Sequence, residues 1–227
     1  MAYSIIIPVL NEARALPDAL KSLQIAREQG AEIILVDGGS TDNTQELAKQ
    51  FEGKSFDKFA ISRPGRAVQM NAGAAMASNP LLVFLHIDTF LDESCSRALS
   101  EYSKSQQIWG RFNVVLSGQH FLFRIIETMM NLRSRLTGVV TGDQVLFISR
   151  SFFHKVGGFE ELPLMEDVEL SKRLRKIQWP VSSSVLVETS SRRWEQYGIL
   201  KVIFIMWGLR LAYFLGVSPD KLAAYYE

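Results

Sequence analysis

The chain has 227 residues, 47% of them hydrophobic and 22% charged, which excludes wholesale disorder and leaves room for one large α/β core but not for two full enzyme domains. Lys and Arg number 25 against 24 Asp and Glu, so the net charge of +1 supplies no field to gather nucleic acid, and no nucleic-acid partner is expected. The lone cysteine, Cys95, excludes an intrachain disulfide and a cysteine-based metal site, so nothing calls for an oxidising compartment and a cytoplasmic setting is expected.

In chain order, the opening residues carry no basic leader and run straight into Ile5-Ile6-Ile7, so the chain is expected to begin on a strand at 4–9. Short apolar runs predict further strands at 32–37, 58–61 and 81–85. Between them Leu16, Leu20 and Leu23 recur at helical spacing, as do Ala67, Met70 and Ala74, giving each connecting helix one apolar face for the sheet. Strands alternating with such helices predict a doubly wound, mainly parallel α/β sheet, whose ligands bind beyond the carboxyl ends of the strands. The later chain predicts a strand at 108–116, a helix at 121–136, a strand at 145–149, a turn at Gly157-Gly158-Phe159, a helix over 166–176 and a strand at 181–187. From Trp194 onward the pattern is helical and rich in aromatics.

Three loop clusters can carry chemistry. Asp37-Gly38-Gly39-Ser40-Thr41-Asp42 sets a carboxylate at a strand end, followed by glycines that let backbone approach a ligand; Ser40, Thr41 and Asp42 read more simply as a helix N-cap cluster. His86-Ile87-Asp88 closes an apolar run with two metal-capable side chains two residues apart, which an extended chain points to the same side. Taken alone that pair reads as well as a capping or core histidine beside an acid. Glu166-Asp167 with Glu169 opens a helix, where acids suit the macrodipole equally well as they suit proton transfer from an acceptor hydroxyl.

The ordered set of Ile7-Pro8-Val9-Leu10-Asn11-Glu12, Val36-Asp37-Gly38-Gly39-Ser40-Thr41-Asp42, Gly65-Arg66 through Asn71-Ala72-Gly73, and Gly157-Gly158-Phe159 through Glu166-Asp167 resembles family-2 glycosyltransferases of the GT-A fold. Leu85-His86-Ile87-Asp88-Thr89, Gly142-Asp143-Gln144 and Pro163-Leu164-Met165-Glu166-Asp167 further resemble a short bacterial subgroup of that family, the selenodomain- or radical-SAM-associated transferases. The resemblance implies a Rossmann-like GT-A domain over 1–190, which takes a nucleotide-diphosphate sugar as donor, with a C-terminal helical extension over 191–227. It implies that Pro8, Asn11, Glu12 and Asp37 line the nucleotide pocket, with Asp37 on base or ribose, Arg66 on base or pyrophosphate, and Asn71 supporting the Arg66 loop. Asp88 would hold Mg²⁺ or Mn²⁺ on the diphosphate. Asp167, beside Glu166, would be the catalytic base of a direct displacement with inversion, and Gly142, Asp143 and Gln144 would lie near sugar or acceptor. Two positions depart from the family pattern: Gly38 and His86 stand where it usually carries aspartates.

A nucleotidyltransferase is the alternative from another class, but its Gly-rich, basic signature after the first strand is replaced by Asn11-Glu12-Ala13. A non-catalytic nucleotide-sugar binder would explain Gly38 and His86, though not the retained Asp88 and Asp167. The stretch 199–217 carries Lys201 and Arg210 within about 20 residues, the length a membrane span needs, so a spanning helix is not expected. With Trp194, Trp207, Tyr213 and Phe214 beside Arg192 and Arg193, it suits three settings: packing on the domain, a homodimer contact, or a membrane surface that delivers a lipid-linked acceptor.

Overall fold

The computed structural model describes residues 2–225; Met1, Tyr226 and Glu227, the outer ends of the two segments read from the sequence, lie outside the described residues. The elements are β1 (Tyr3–Val9), α1 (Leu16–Ser22), α2 (Gln24–Glu28), β2 (Glu32–Asp37), α3 (Thr44–Phe51), β3 (Lys58–Ile61), α4 (Arg66–Met76), β4 (Leu81–Phe84), β5 (Thr89–Phe90) and α5 (Glu93–Tyr102). They continue with β6 (Trp109–Leu116), α6 (Phe121–Thr137), a 3₁₀ turn (Gly142–Gln144), β7 (Leu146–Ser149), α7 (Arg150–Lys155), α8 (Glu166–Leu174), β8 (Val181–Thr189), α9 (Arg192–Tyr197), α10 (Ile199–Phe214) and α11 (Pro219–Ala223).

One sheet of eight strands runs in the order β3-β2-β1-β4-β7-β6-β8-β5. The first four strands are parallel, β7 is antiparallel between β4 and β6, β8 returns parallel to β6, and β5 closes the edge antiparallel. The unbroken apolar runs of the first strands follow from burial on both faces. Ile5, Ile7, Ile33 and Leu35 face a core built with Leu16, Leu20, Ala48 and Leu99, whereas Ile6, Ile34, Val36 and Phe84 face Ala67, Met70 and Ala74 of α4 on the other side. The chain steps outward from β1 to β3 and then crosses back to β4. A crevice therefore opens at the carboxyl ends of β1 and β4, where the strand order reverses.

Three elements escape the periodicity: β5, α5 and α7. The start of α5 has a local signal, since Asp92 accepts from the Cys95 amide at 2.8 Å as its N-cap. Several boundaries also move. β4 stops at Phe84 because residues 86–89 turn, with the Thr89 amide bonded to the His86 carbonyl at 3.1 Å. β7 starts one residue late because Val145 sits at φ 55°. The tail folds as α9 to α11, and α10 packs Leu209 against Met165 and Val168 at the start of α8.

Candidate active site

The loops after β1 and β2 are locked together by side chains. Asn11 Oδ1 accepts from the Thr41 amide (2.8 Å), the Asn11 amide donates to Ser40 Oγ (2.8 Å), and the Glu12 amide donates to Thr44 Oγ1 (2.9 Å). Asp37 is fully buried, and its carboxylate accepts from the Gly39 and Ser40 amides and from Gln45 Nε2, each at 2.8 Å, and also from Ser40 Oγ. Its acceptor capacity is spent on shaping this loop. Ser40 and Thr41 do not cap α3 as their sequence suggested. Asp42 alone reaches that helix, accepting from the Thr44 amide at 3.0 Å, because the other two are drawn back to Asp37 and Asn11.

Gly38 has a tertiary reason. A Cβ there would stand 3.0 Å from the Gln69 side chain, and Gln69 Nε2 donates to the carbonyls of Val9 (2.8 Å) and Val36 (2.9 Å), joining the ends of β1 and β2. The space of the expected second aspartate is filled from α4. Asn71, also on α4, holds a different loop from the one expected: its amide brackets Phe159, donating to the carbonyl (2.9 Å) and accepting from the amide (3.0 Å), which fixes the Gly157–Phe159 turn.

Pro8, Glu12, Arg66, His86, Asp88 and Asp143 line one cleft of about 320 Å³. An adjoining arm of about 60 Å³ shares Arg66, His86 and Asp143 with it and adds Gly142 and Asp167. A larger hollow of about 790 Å³ lies at the opposite end of the sheet, around Pro17, Lys21 and Asp57. Its Arg27 and Asp57 are paired at 3.2 Å, and Asp57 also accepts from the Ile33 amide. Chemistry, not volume, selects the smaller cleft.

Within it, Asp167 is half-buried, with Oδ2 accepting from the Gly142 amide (3.0 Å) and Oδ1 from the Val168 amide (2.7 Å). Glu166 differs from its neighbour: it is buried, and its Oε1 receives Arg66 Nε at 2.6 Å, so it anchors Arg66. Gly142 leaves room for the His86 ring, since a Cβ would fall 2.2 Å from His86 Nε2. His86 and Asp88 are not aligned as on an extended strand, because the chain turns between them; His86 Nδ1 instead faces Asp143 Oδ1 at 3.6 Å. Burial alone would raise the Asp143 carboxyl, but the contact and charge of His86, with the charges of Arg66 and Arg210, hold it below the ordinary carboxylate value. Glu12 goes the other way: desolvation pushes its carboxyl up, Arg192 opposes, and the nearby Asp88 and Asp42 add to the rise. Gln144 does not reach the cleft. It is fully buried and forms a capping box with Thr141, which closes the 3₁₀ turn from beneath.

Among the described residues no group of three or more His, Cys, Asp or Glu side chains converges to hold a metal ion. Asp88 borders the open cleft beside Glu12, an arrangement that fits an ion only if a ligand brings oxygens of its own.

Two features have no counterpart in the sequence reading. The non-glycine residues with positive φ among those described are Asn11 (55°), Val145 (55°) and Met165 (69°), and each stands next to a loop of this site: the β1 exit, the 3₁₀ turn and the start of α8. Strain concentrated around one cleft is a mark of function. Second, the C-terminal segment roofs the cleft. Arg193, Trp194, Val202 and Met206 line its main arm, and Met206, Leu209 and Arg210 the adjoining arm.

Comparison with known proteins places the chain in a family and a fold. The family model described as Glycosyl transferase family 2 matches residues 4–154. The PGL/p-HBAD biosynthesis glycosyltransferase of Mycobacterium bovis (strain BCG / Pasteur 1173P2) is 34% identical over 127 residues, covering 52% of this chain and 49% of that protein. The probable glycosyltransferase YdaM of Bacillus subtilis (strain 168) is 25% identical over 199 residues, covering 78% and 47%. The chain thus spans about half the length of these relatives. Among solved structures, S. aureus TarS 1-349 in complex with UDP-GlcNAc superposes with a TM-score of 0.66 at 16% identity, covering 84% of this chain and 58% of that one. The mannosyltransferase PcManGT from Pyrobaculum calidifontis, in complex with GDP-Man and Mn²⁺, gives 0.58 at 15% identity, covering 82% and 56%. Both superpositions bear on the fold, which is the GT-A arrangement that the motifs imply, and the family match leaves the nucleotidyltransferase alternative without support. With its first two-thirds matched by the family model and its fold shared, the chain belongs to glycosyl transferase family 2.

Proposed function

We propose that the chain is a glycosyltransferase that moves a sugar from a nucleotide-diphosphate sugar to a hydroxyl acceptor at the β1/β4 crevice, in the cytoplasm. The observation that carries this reading is that Asp88 and Asp167 line adjoining cavities whose walls share Arg66, His86 and Asp143. The relatives' names and the nucleotide sugars bound to TarS and PcManGT support the donor class.

In this reading Pro8, Asn11, Glu12 and the loop shaped by Asp37 and Gly38 take the nucleoside, and Arg66, held by Glu166, faces the diphosphate. Asp88 would contribute the protein's carboxylate to Mg²⁺ or Mn²⁺, with diphosphate oxygens completing the shell; bound there, the ion's chemistry is neutralisation of leaving-group charge. Asp167 takes the proton of the acceptor hydroxyl as that oxygen bonds to the anomeric carbon. The bond from that carbon to the diphosphate oxygen breaks on the opposite face, the nucleoside diphosphate departs, and the configuration inverts. Gly142 and Asp143 border the reacting centre, whereas Gln144 supports the turn that carries them. The acceptor is lipid-linked, delivered where the apolar helices meet a membrane.

A thermal-shift panel of nucleotide-diphosphate sugars, with and without Mn²⁺, tests the reading. One donor at about 100 times its Kd should stabilise the fold by roughly 2.7 kcal/mol. If no nucleotide sugar shifts the transition, the proposal fails.

A further inference from the structure

Helices α6 and α10 lie side by side. Phe123, Ile126 and Met130 of the first cluster with Trp194, Ile199 and Ile203 of the second segment. That seam satisfies only their inner faces. On α6, Phe121, Ile125, Met129, Leu132 and Leu136 are exposed at spacings of four, four, three and four. On α10, Leu200, Phe204, Trp207, Leu211 and Phe214 are exposed at four, three, four and three, with Phe204 at 74% and Phe214 at 80%. Each of the two helices thus presents an apolar stripe to solvent.

Charge decides what covers it. On the two helices Arg135 and Lys201 are exposed, Arg124 is paired with the buried Glu127 at 2.8 Å, and Arg133 and Arg210 turn inward, toward Thr141 and the cleft. The two helices together carry +4 and the whole chain +1, so the rest of the chain carries −3. A second copy would bring two such basic faces together, whereas an anionic surface complements them. Length excludes spanning: 16 residues of α10 rise about 24 Å against a hydrocarbon core of about 30 Å, and no helix among the described residues is long and apolar enough to cross a membrane.

We infer that the joint α6/α10 face docks on an anionic lipid bilayer, lying in the interface with its aromatic side chains among the headgroups. Because the inner side of α10 puts Val202, Met206, Leu209 and Arg210 into the cleft, docking sets the cleft mouth at the bilayer surface and makes a membrane-borne amphiphile the acceptor class. This acceptor assignment rests on the transferase reading above; the docking itself does not.

Co-sedimentation of the full chain with vesicles of phosphatidylglycerol and phosphatidylcholine in equal parts, and with phosphatidylcholine alone, tests it. Binding should favour the anionic vesicles, weaken with salt, and fall by roughly tenfold or more in a Phe204→Glu/Trp207→Glu variant whose circular dichroism and thermal transition match the parent. No binding by the parent, equal binding by the variant, or equal binding to both vesicle types overturns the inference. So does a concentration-dependent dimer in sedimentation velocity that the same variant abolishes, since it assigns the face to a second copy. A donor-induced thermal shift in soluble protein, measured beside these, keeps failure of docking distinct from failure of the transferase reading.

Discussion

The parallel half of the sheet and the C-terminal roof meet at the same cleft but are built on opposite principles. In the first, β1 and β2 are buried on both faces, and the loops that follow are closed by side-chain bonds from Asn11, Asp37, Ser40 and Gln69. In the second, α10 rests on Met165 and Val168 by one face and leaves the other apolar face in solvent. The contrast teaches that one wall of the site is fixed by the fold itself, whereas the other is a helix whose outer half is unspent on the fold. Changes in the first wall should therefore register as stability, and changes on the outer side of the second should not.

The largest expected effect falls where the two walls meet. Asp167→Asn removes the proposed base but keeps an acceptor for the Gly142 amide, so steady-state turnover should drop by about 10³-fold or more while the donor-induced thermal shift changes little. Turnover within a few-fold of the parent would remove Asp167 from the chemistry.

Asp37→Ala leaves the Gly39 and Ser40 amides and Gln45 without their buried carboxylate acceptor in a part-buried loop. Urea titration should show a loss of about 2–4 kcal/mol, whether or not donor is present. Gly142→Ala forces a methyl against the His86 ring and should cost about 1–3 kcal/mol, with a displaced His86 resonance in the NMR spectrum.

Acid titration probes the floor between the walls. The Asp143 carboxyl lies below its ordinary value in the folded state, so its contribution is present above the unfolded pKa near 4 and is lost as pH falls through the lower folded value. His86→Ala should move the Asp143 titration upward and shrink the stability it supplies on the acid side, read from urea midpoints across that range. At the small end, Phe204→Glu on the outer face should change stability by no more than about 0.5 kcal/mol. A loss as large as that of Asp37→Ala would break the contrast, because it would mean that α10 is held by its exposed side.

Legibility in the sequence follows the same division. Residues 32–37 and 58–61 fold as strands with the expected bounds; the first is buried on both faces and carries an apolar run to match, and the second is a part-buried edge strand. Asp167 and Asp88 line the cleft that their loops suggested, and Asp37 sits at its strand end. Glu166 and Gln144 were less legible. A carboxylate beside Asp167 and a glutamine beside Asp143 look reactive in one dimension, but successive residues on a helical turn point in different directions, and these two point inward. The paired reading of His86 and Asp88 assumed an extended chain that turns instead.

By itself, then, the sequence determined the parallel β/α beginning, the motif loops and the family, because each is written in local periodicity or in short runs of residue types. Tertiary structure alone decided that Gln69 fills the space beside Gly38, that Glu166 holds Arg66, and that α10 roofs the cleft. The reason is plain for α10: apolar residues lie on every side of it, so no pattern marks which face is inner. Packing against α8 and α6 selects that face, and the same choice leaves the opposite one for a partner outside the chain.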